Sequence, residues 1–313
     1  MFDGGRAVGV AGEQDGRAVE YGATREVILS AGALATPKIL QLSGVGDRET
    51  LGAAGVEVVV ESPHVGVRMR EHRVFTLQFR LAEDIGYNRL LSTSQGRQQA
   101  MTQYEATGGG PMAAPSFDIV GFFRTRAGLG RPDAQLQIAP FSMRPPEPGA
   151  SLQIEREPGM VCIVYALRPD SEGSVRITSG EPEAPLDIEP GYLATEHDRT
   201  TSVAAFRSIR TLFATRPLAD RIEYETAPGD GVQTDEEIID AGLRAGVCGY
   251  HAIGTAAMAP HEHDVVDSRL RVRGTAGLRV VDASVLPTMI SGNLNAPVSA
   301  LAWRAADHIR GGA

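Results

Sequence analysis

The chain has 313 residues, 42% of them hydrophobic and 22% charged, with 39 acidic against 30 basic side chains and a formal net charge of −9. That length gives room for two domains and a well-buried core, and no stretch approaches the about 18 consecutive apolar residues that a membrane helix needs. An acidic balance argues against non-specific binding of nucleic acid or anionic membranes, which depends on a basic surface.

The first thirty residues contain two β-rich runs, Arg6–Val10 and Arg25–Ser30, around Gly- and Asp-containing turns, which read as a hairpin pattern. A short helix follows, with Thr36 expected as N-cap, Pro37 at the first helical position and Gly44 as the stop. Asp47 is placed to cap a second short helix ending at Gly55, and the β-branched run from Val56 to Glu61 reads as a strand, so the unit is βαβ-like.

From Arg73 the pattern changes to period two. Phe75, Leu77, Phe79 and Leu81 fall on one face, and Thr76, Gln78 and Arg80 on the other, which signals a half-buried antiparallel sheet. Further strands are expected at Ser116–Phe123, Ala134–Ala139, Met160–Leu167 and Gly173–Thr178, with a helix over Asn88–Ala106 broken by Gly108-Gly-Gly110-Pro111. Proline spacing marks Arg144–Gly149 and Glu181–Pro185 as loops.

Thr195 suits the cap of a helix from Glu196 with Val203, Phe206, Ile209 and Phe213 at helical spacing. Thr234-Asp-Glu-Glu237 is a capping box for another helix, closed by Gly246. The last seventy residues return to tight turns before a final helix reaching Ile309. The middle region, 73–242, therefore reads as its own α+β domain.

The only two cysteines, Cys162 and Cys248, are too few for a disulfide framework, and no basic and apolar leader follows Met1. The expected compartment is a reducing cytoplasm. Cys248, His251, His261 and His263 lack the spacing of a known zinc site, so no metal is expected.

His251 is the best candidate base, because imidazole titrates near neutral pH and here lies in a Gly/Ala/Thr-rich turn that lets a ligand approach the backbone. A packed or surface histidine is the alternative. The Gly292-Asn293 pair reads, in isolation, as a turn.

The blocks Gly32–Gly46 (GALATPKILQLSGVG), His251-Ala-Ile-Gly-Thr255, Val266–Val272 (VDSRLRV) and Val281-Asp-Ala-Ser284 through Gly292-Asn-Leu-Asn-Ala-Pro297 stand in an order that resembles the glucose-methanol-choline (GMC) flavoprotein oxidoreductases, choline-dehydrogenase-like members above all. The resemblance covers nearly the whole chain. It implies an α+β fold made of an incomplete FAD-binding domain, itself α/β, of residues 1–72 with a return segment 243–313 that carries the active site, and an antiparallel-sheet substrate-binding domain flanked by helices over 73–242.

By the same resemblance His251 is the base that accepts a hydroxyl proton, and Asn293 is the second catalytic position, able to hydrogen-bond the substrate oxygen. The cofactor that the resemblance implies is FAD. Ala31 and Gly32 are implied near its adenosine, Asp282 and Ala283 near its ribityl-pyrophosphate, and Asn295 and Pro297 at a helix start facing the flavin pyrimidine. Glu71-His72 falls where the family has Asp-His, and Arg68 where it often has Asn.

The implied reaction is oxidation of a small-molecule alcohol to an aldehyde or ketone, with electrons leaving to a quinone, another carrier or oxygen. A hydroxynitrile-lyase-like enzyme on the same scaffold, and a non-catalytic fragment or partner subunit, are the alternatives. The family's Gly-x-Gly-x-x-Gly turn is not found: Gly44-x-Gly46 is followed by Glu49 at the third position, and Gly108-Gly-Gly110 lacks the flanking strand and helix. The chain is accordingly expected to be a portion of a longer enzyme, needing an N-terminal FAD-binding segment or subunit, with Met1 inside a longer reading frame.

Overall fold

A computed structural model describes residues 1–144, 153–258 and 264–311. Most of the loop expected at 144–149, together with His261 and His263, lies outside the described residues. Two compact units emerge, one of residues 1–72, 168–194 and 249–313, the other of 73–167 and 195–248. The chain mixes helix and sheet, as expected.

The second unit is built on an antiparallel sheet in the order Ile119–Phe123, Ala134–Ala139, Gly159–Ala166, Arg73–Leu81 and Ile222–Ala227, with Val247–Cys248 also pairing with Arg73–Leu81. The period-two reading holds: Phe75, Leu77, Phe79 and Leu81 are buried, while Thr76, Gln78 and Arg80 are half-exposed. Against this face lies the helix Glu196–Phe213, capped by the Thr195 hydroxyl, which accepts the Asp198 N–H. Phe206 meets Phe75 edge-on at 6.2 Å and Phe213 stacks on Phe79 at 4.0 Å. Each such side chain, taken fully out of water, contributes about 1.5–3 kcal/mol.

Two further helices follow their sequence signals. Asp235–Ala245 carries the complete Thr234/Glu237 capping box. The helix expected over 88–106 is instead two, Asn88–Leu91 and Ser94–Thr107, because the Thr93 side chain accepts the Gly96 N–H and starts a new N-terminus.

In the first unit the strand Val27–Leu29 pairs in parallel with Leu278–Val280, not in a hairpin with residues 6–10. The hairpins are Phe2–Asp3 with Arg6–Ala7, and Gly9–Gln14 with Arg17–Gly22. Val27–Leu29 pairs with a strand 251 residues away because Leu29, Leu278 and Val280 share one core with Leu40, Val45, Val266, Leu270 and Val272. A local reading cannot see such pairing.

The first helix spans Gly32–Leu42, so it starts a turn earlier than Thr36 and holds Pro37 in its interior. A proline there cannot donate to the carbonyl four residues back, that of Ala33. The Thr255 hydroxyl donates to that carbonyl at 2.7 Å, which replaces the missing bond. Thr36 is buried and spends its hydroxyl on Asp282, so it is unavailable as a cap. Asp47 caps Arg48–Ala53 as expected, and this helix joins the parallel strands Val45–Gly46 and Val60–Glu61.

Residues 168–194, read from sequence within the middle segment, pack in the first unit. Their strand Gly173–Ile177 pairs with Val67–Met69 and Leu186–Glu189, and buried Gln41 clamps it: the amide donates to the Val175 carbonyl and accepts from the Ile177 N–H. The final helix, Asn295–Arg310, ends the unit.

Candidate active site

His251 sits on a turn shaped by its neighbours. Residues 70–72 run beside 249–253, with Gly249 N–H donating to the His72 carbonyl at 2.9 Å and Arg70 and Ile253 exchanging both backbone bonds. Between these anchors Tyr250 adopts φ +57°, in the left-handed region, and swings the His251 N–H inward. Glu71 receives it: both carboxylate oxygens accept from the His251 N–H at 2.9 Å, and one also accepts from the His72 N–H at 2.7 Å.

Glycines allow the close approach. A Cβ at Gly249 would lie 2.9 Å from the His72 Cβ and 3.1 Å from the His251 Nδ1. At Gly254, with φ +87°, a Cβ would sit 2.4 Å from the Arg68 carbonyl oxygen.

The ring of His251 is held on both nitrogens. Its Nδ1 lies 2.8 Å from Nδ1 of His72, a fully buried residue, and the two rings meet edge-on with centroids 5.0 Å apart. Its Nε2 lies 3.4 Å from the Asn293 amide nitrogen. Asn293 is brought there by packing, because the next residue, Leu294, shares a buried cluster with Ile253, Leu286 and Met289.

Burial lowers the His251 pKa below its ordinary 6.5, so the ring stays neutral at pH 7 with a lone pair to offer. Loss of solvent raises the Glu71 carboxyl, against the pull of the backbone N–H groups of His251, His72, Gly249 and Ala252. Tyr250, beside the imidazole, is 89% exposed.

The expected cofactor residues fall at the C-terminal ends of the parallel strands Val27–Leu29 and Leu278–Val280 and at the start of the last helix. The side chain of Asp282 is a brace. One oxygen accepts from the Gly32 N–H at 2.9 Å and the Thr36 hydroxyl at 2.6 Å, and the other from the Ser284 N–H and hydroxyl at 2.8 and 2.5 Å. Ala31 spends its N–H on Thr36, so Ala31 and Gly32 offer close approach, with open space around a Cβ at Gly32. The helix Gly32–Leu42 starts on the Asp282 carboxylate, which accepts the Gly32 N–H, whereas Asn295–Arg310 starts without a side-chain cap, with Asn295 and Ala296 exposed.

Glu71 and His72 escaped the sequence reading as parts of this cluster. Their only signal was the Glu-His doublet itself, since the contact with His251 spans 179 residues. Among the described residues no group of His, Cys, Asp and Glu has the arrangement of a metal site, and no helix is long and apolar enough to cross a membrane.

Two models of the GMC oxidoreductase family match the chain, an N-terminal one over residues 1–74 and a C-terminal one over residues 169–302. Oxygen-dependent choline dehydrogenase of Chromohalobacter salexigens is 38% identical over 312 residues, which cover 99% of this chain and 55% of that protein. Among solved structures, formate oxidase of Aspergillus oryzae matches with a TM-score of 0.89 and 26% identity over 99% of this chain and 59% of its own. Pyridoxine 4-oxidase from Mesorbium loti gives 0.81 and 25% over 100% of this chain and 56% of its own. The chain thus spans a little over half the length of the proteins it matches.

Proposed function

The chain belongs to the GMC oxidoreductase family, and from that premise we propose that it takes part in the FAD-dependent oxidation of a small alcohol to an aldehyde or ketone, with His251 as the base. The observation that carries the proposal is an imidazole whose Nε2 lies 3.4 Å from an amide nitrogen, on a turn whose backbone is held by Glu71.

The residues present fit FAD. The uncapped start of the helix Asn295–Arg310 favours the negative charge of a reduced ring, and Ala31, Gly32, Asp282 and Ala283 follow the C-terminal ends of parallel strands, where open α/β sheets take their ligands. Ala31 and Gly32 would border the adenosine, the backbone of Asp282 and Ala283 the ribityl-pyrophosphate, and Asn295 and Pro297 the flavin pyrimidine. Bound there, FAD supplies the hydride acceptor.

His251 Nε2 takes the proton of the alcohol, and the Asn293 amide donates a hydrogen bond to the same oxygen as negative charge grows on it. An amide cannot serve as a base at neutral pH, so the proton falls to His251 alone. The acceptor of the electrons is a quinone, another carrier or oxygen. Choline, the substrate in the name of the Chromohalobacter relative, is the first alcohol to try.

The test is to join the chain to an N-terminal FAD-binding segment of a family member, add FAD, remove the excess, and record the visible spectrum before and after adding choline and a panel of primary and secondary alcohols. Retained flavin bands bleached by one of these alcohols are expected. A colourless protein contradicts the assignment of these residues to FAD. Retained flavin that no alcohol bleaches, with cleavage of a hydroxynitrile, favours a lyase instead.

A further inference from the structure

Outside the residues to which a catalytic role has been given, His72 is in direct contact with the candidate base, at 2.8 Å. Two ring nitrogens 2.8 Å apart can share only one proton, so one ring donates and the other accepts. The direction matters, because it decides which nitrogen of His251 keeps a lone pair.

If His72 donates, His251 Nδ1 is the acceptor, and a neutral His251 then carries its proton on Nε2 and has no lone pair where a substrate would be met. If His251 donates, Nε2 is the lone-pair nitrogen. The other side of the ring selects between these. The amide nitrogen of Asn293, a donor, is the atom that faces Nε2, at 3.4 Å, so Nε2 is an acceptor. One tautomer satisfies both contacts, with the proton on Nδ1 of His251.

We infer that His72 is a positioning residue, a buried hydrogen-bond acceptor that fixes His251 in its Nδ1–H tautomer and so keeps the lone pair on Nε2. The surroundings serve this role. His72 is fully buried, its backbone N–H is bonded to Glu71 and its carbonyl to Gly249, so its ring is anchored from the chain on which it sits. When Nε2 of His251 gains a proton, Nδ1–H remains in place, and the bond to His72 becomes charge-assisted. Glu71 is the carboxylate of the same turn, and its contacts are to backbone N–H groups, so it leaves the ring nitrogens to His72 and Asn293.

The catalytic consequence rests on the reading of His251 as the base. The tautomer itself does not, since it is a property of the chain without flavin or substrate. The test is therefore long-range nitrogen–proton correlation spectroscopy of the 313-residue chain labelled with ¹⁵N-histidine at pH 8, with the two rings assigned through His72→Phe and His251→Gln. The expected spectrum has His251 Nδ1 protonated and Nε2 unprotonated, and His72→Phe moves the proton of His251 toward Nε2. His72→Asn, which keeps an acceptor oxygen near the lost Nδ1, restores the Nδ1–H form. A wild-type His251 protonated on Nε2 overturns the inference, and so does a tautomer unchanged in a folded His72→Phe. Where His72→Phe does not fold, the wild-type spectrum alone decides. Failure of alcohol oxidation leaves this outcome untouched, and the reverse holds as well.

Discussion

Both carboxylate oxygens of Glu71 accept the same backbone N–H, that of His251, at 2.9 Å. A side chain next to one histidine thereby sets the backbone of another 180 residues away. Replacing Glu71 with Ala leaves the N–H groups of His251 and His72 without their acceptor, at about 1–3 kcal/mol for each buried donor. A chemical-denaturation midpoint checks this. Glu71→Ala, which takes the acceptor from two backbone N–H groups, is expected to fall below His251→Ala, which removes a half-exposed ring and one ring contact of His72, and equal midpoints would deny Glu71 its role in the turn.

Because burial lowers its pKa, His251 binds a proton less readily folded than unfolded. Its neutral form thus contributes stability that is full above the ordinary value of 6.5 and is lost as pH falls through the lower folded value. A histidine titration followed by NMR is expected to give His251 a midpoint below 6.5. A midpoint at or above it would mean that a partner, not burial, governs the ring.

Thr255 and Pro37 form a compensated pair. Thr255→Val keeps the volume but removes the hydroxyl that serves the Ala33 carbonyl, and is expected to cost about 1–3 kcal/mol. In a background with Pro37→Ala, whose N–H can reach that carbonyl, the cost should shrink. A thermal-melt double-mutant cycle reads the coupling, and strict additivity would show that the hydroxyl does not stand in for the helix bond.

The two thiols differ. Cys162 is buried in the sheet and its pKa is pushed up to about 12, whereas Cys248 is half-exposed. A thiol reagent at pH 8 is expected to label Cys248 in the native protein and Cys162 only after denaturation. Native labelling of Cys162 at a comparable rate would show that the strand Gly159–Ala166 opens readily.

What could be read from the sequence was what local physics decides. Alternation over Phe75–Leu81, the caps at Asp47, Thr195 and Thr234, and the last helix from Asn295 all depend on neighbours within a turn or two. The misplacements have distant causes. Thr36 looked like a cap until Asp282 claimed its hydroxyl, Pro37 looked like a helix start until Thr255 made an interior proline tolerable, and Val27–Leu29 found its partner at Leu278–Val280. At the site, His251 and Asn293 stood out by residue type and motif. The Glu71 and His72 contacts did not, because a buried acceptor has no signature in a string of residues.

The central claim is that His251 removes the proton, and single-turnover bleaching of retained flavin by an alcohol substrate tests it most directly, wild type against His251→Ala, each joined to the same N-terminal FAD-binding segment. The expected result is a rate lowered by about 10²–10⁴, the usual worth of a general base, with flavin still bound. Bleaching by His251→Ala at the wild-type rate would contradict the claim.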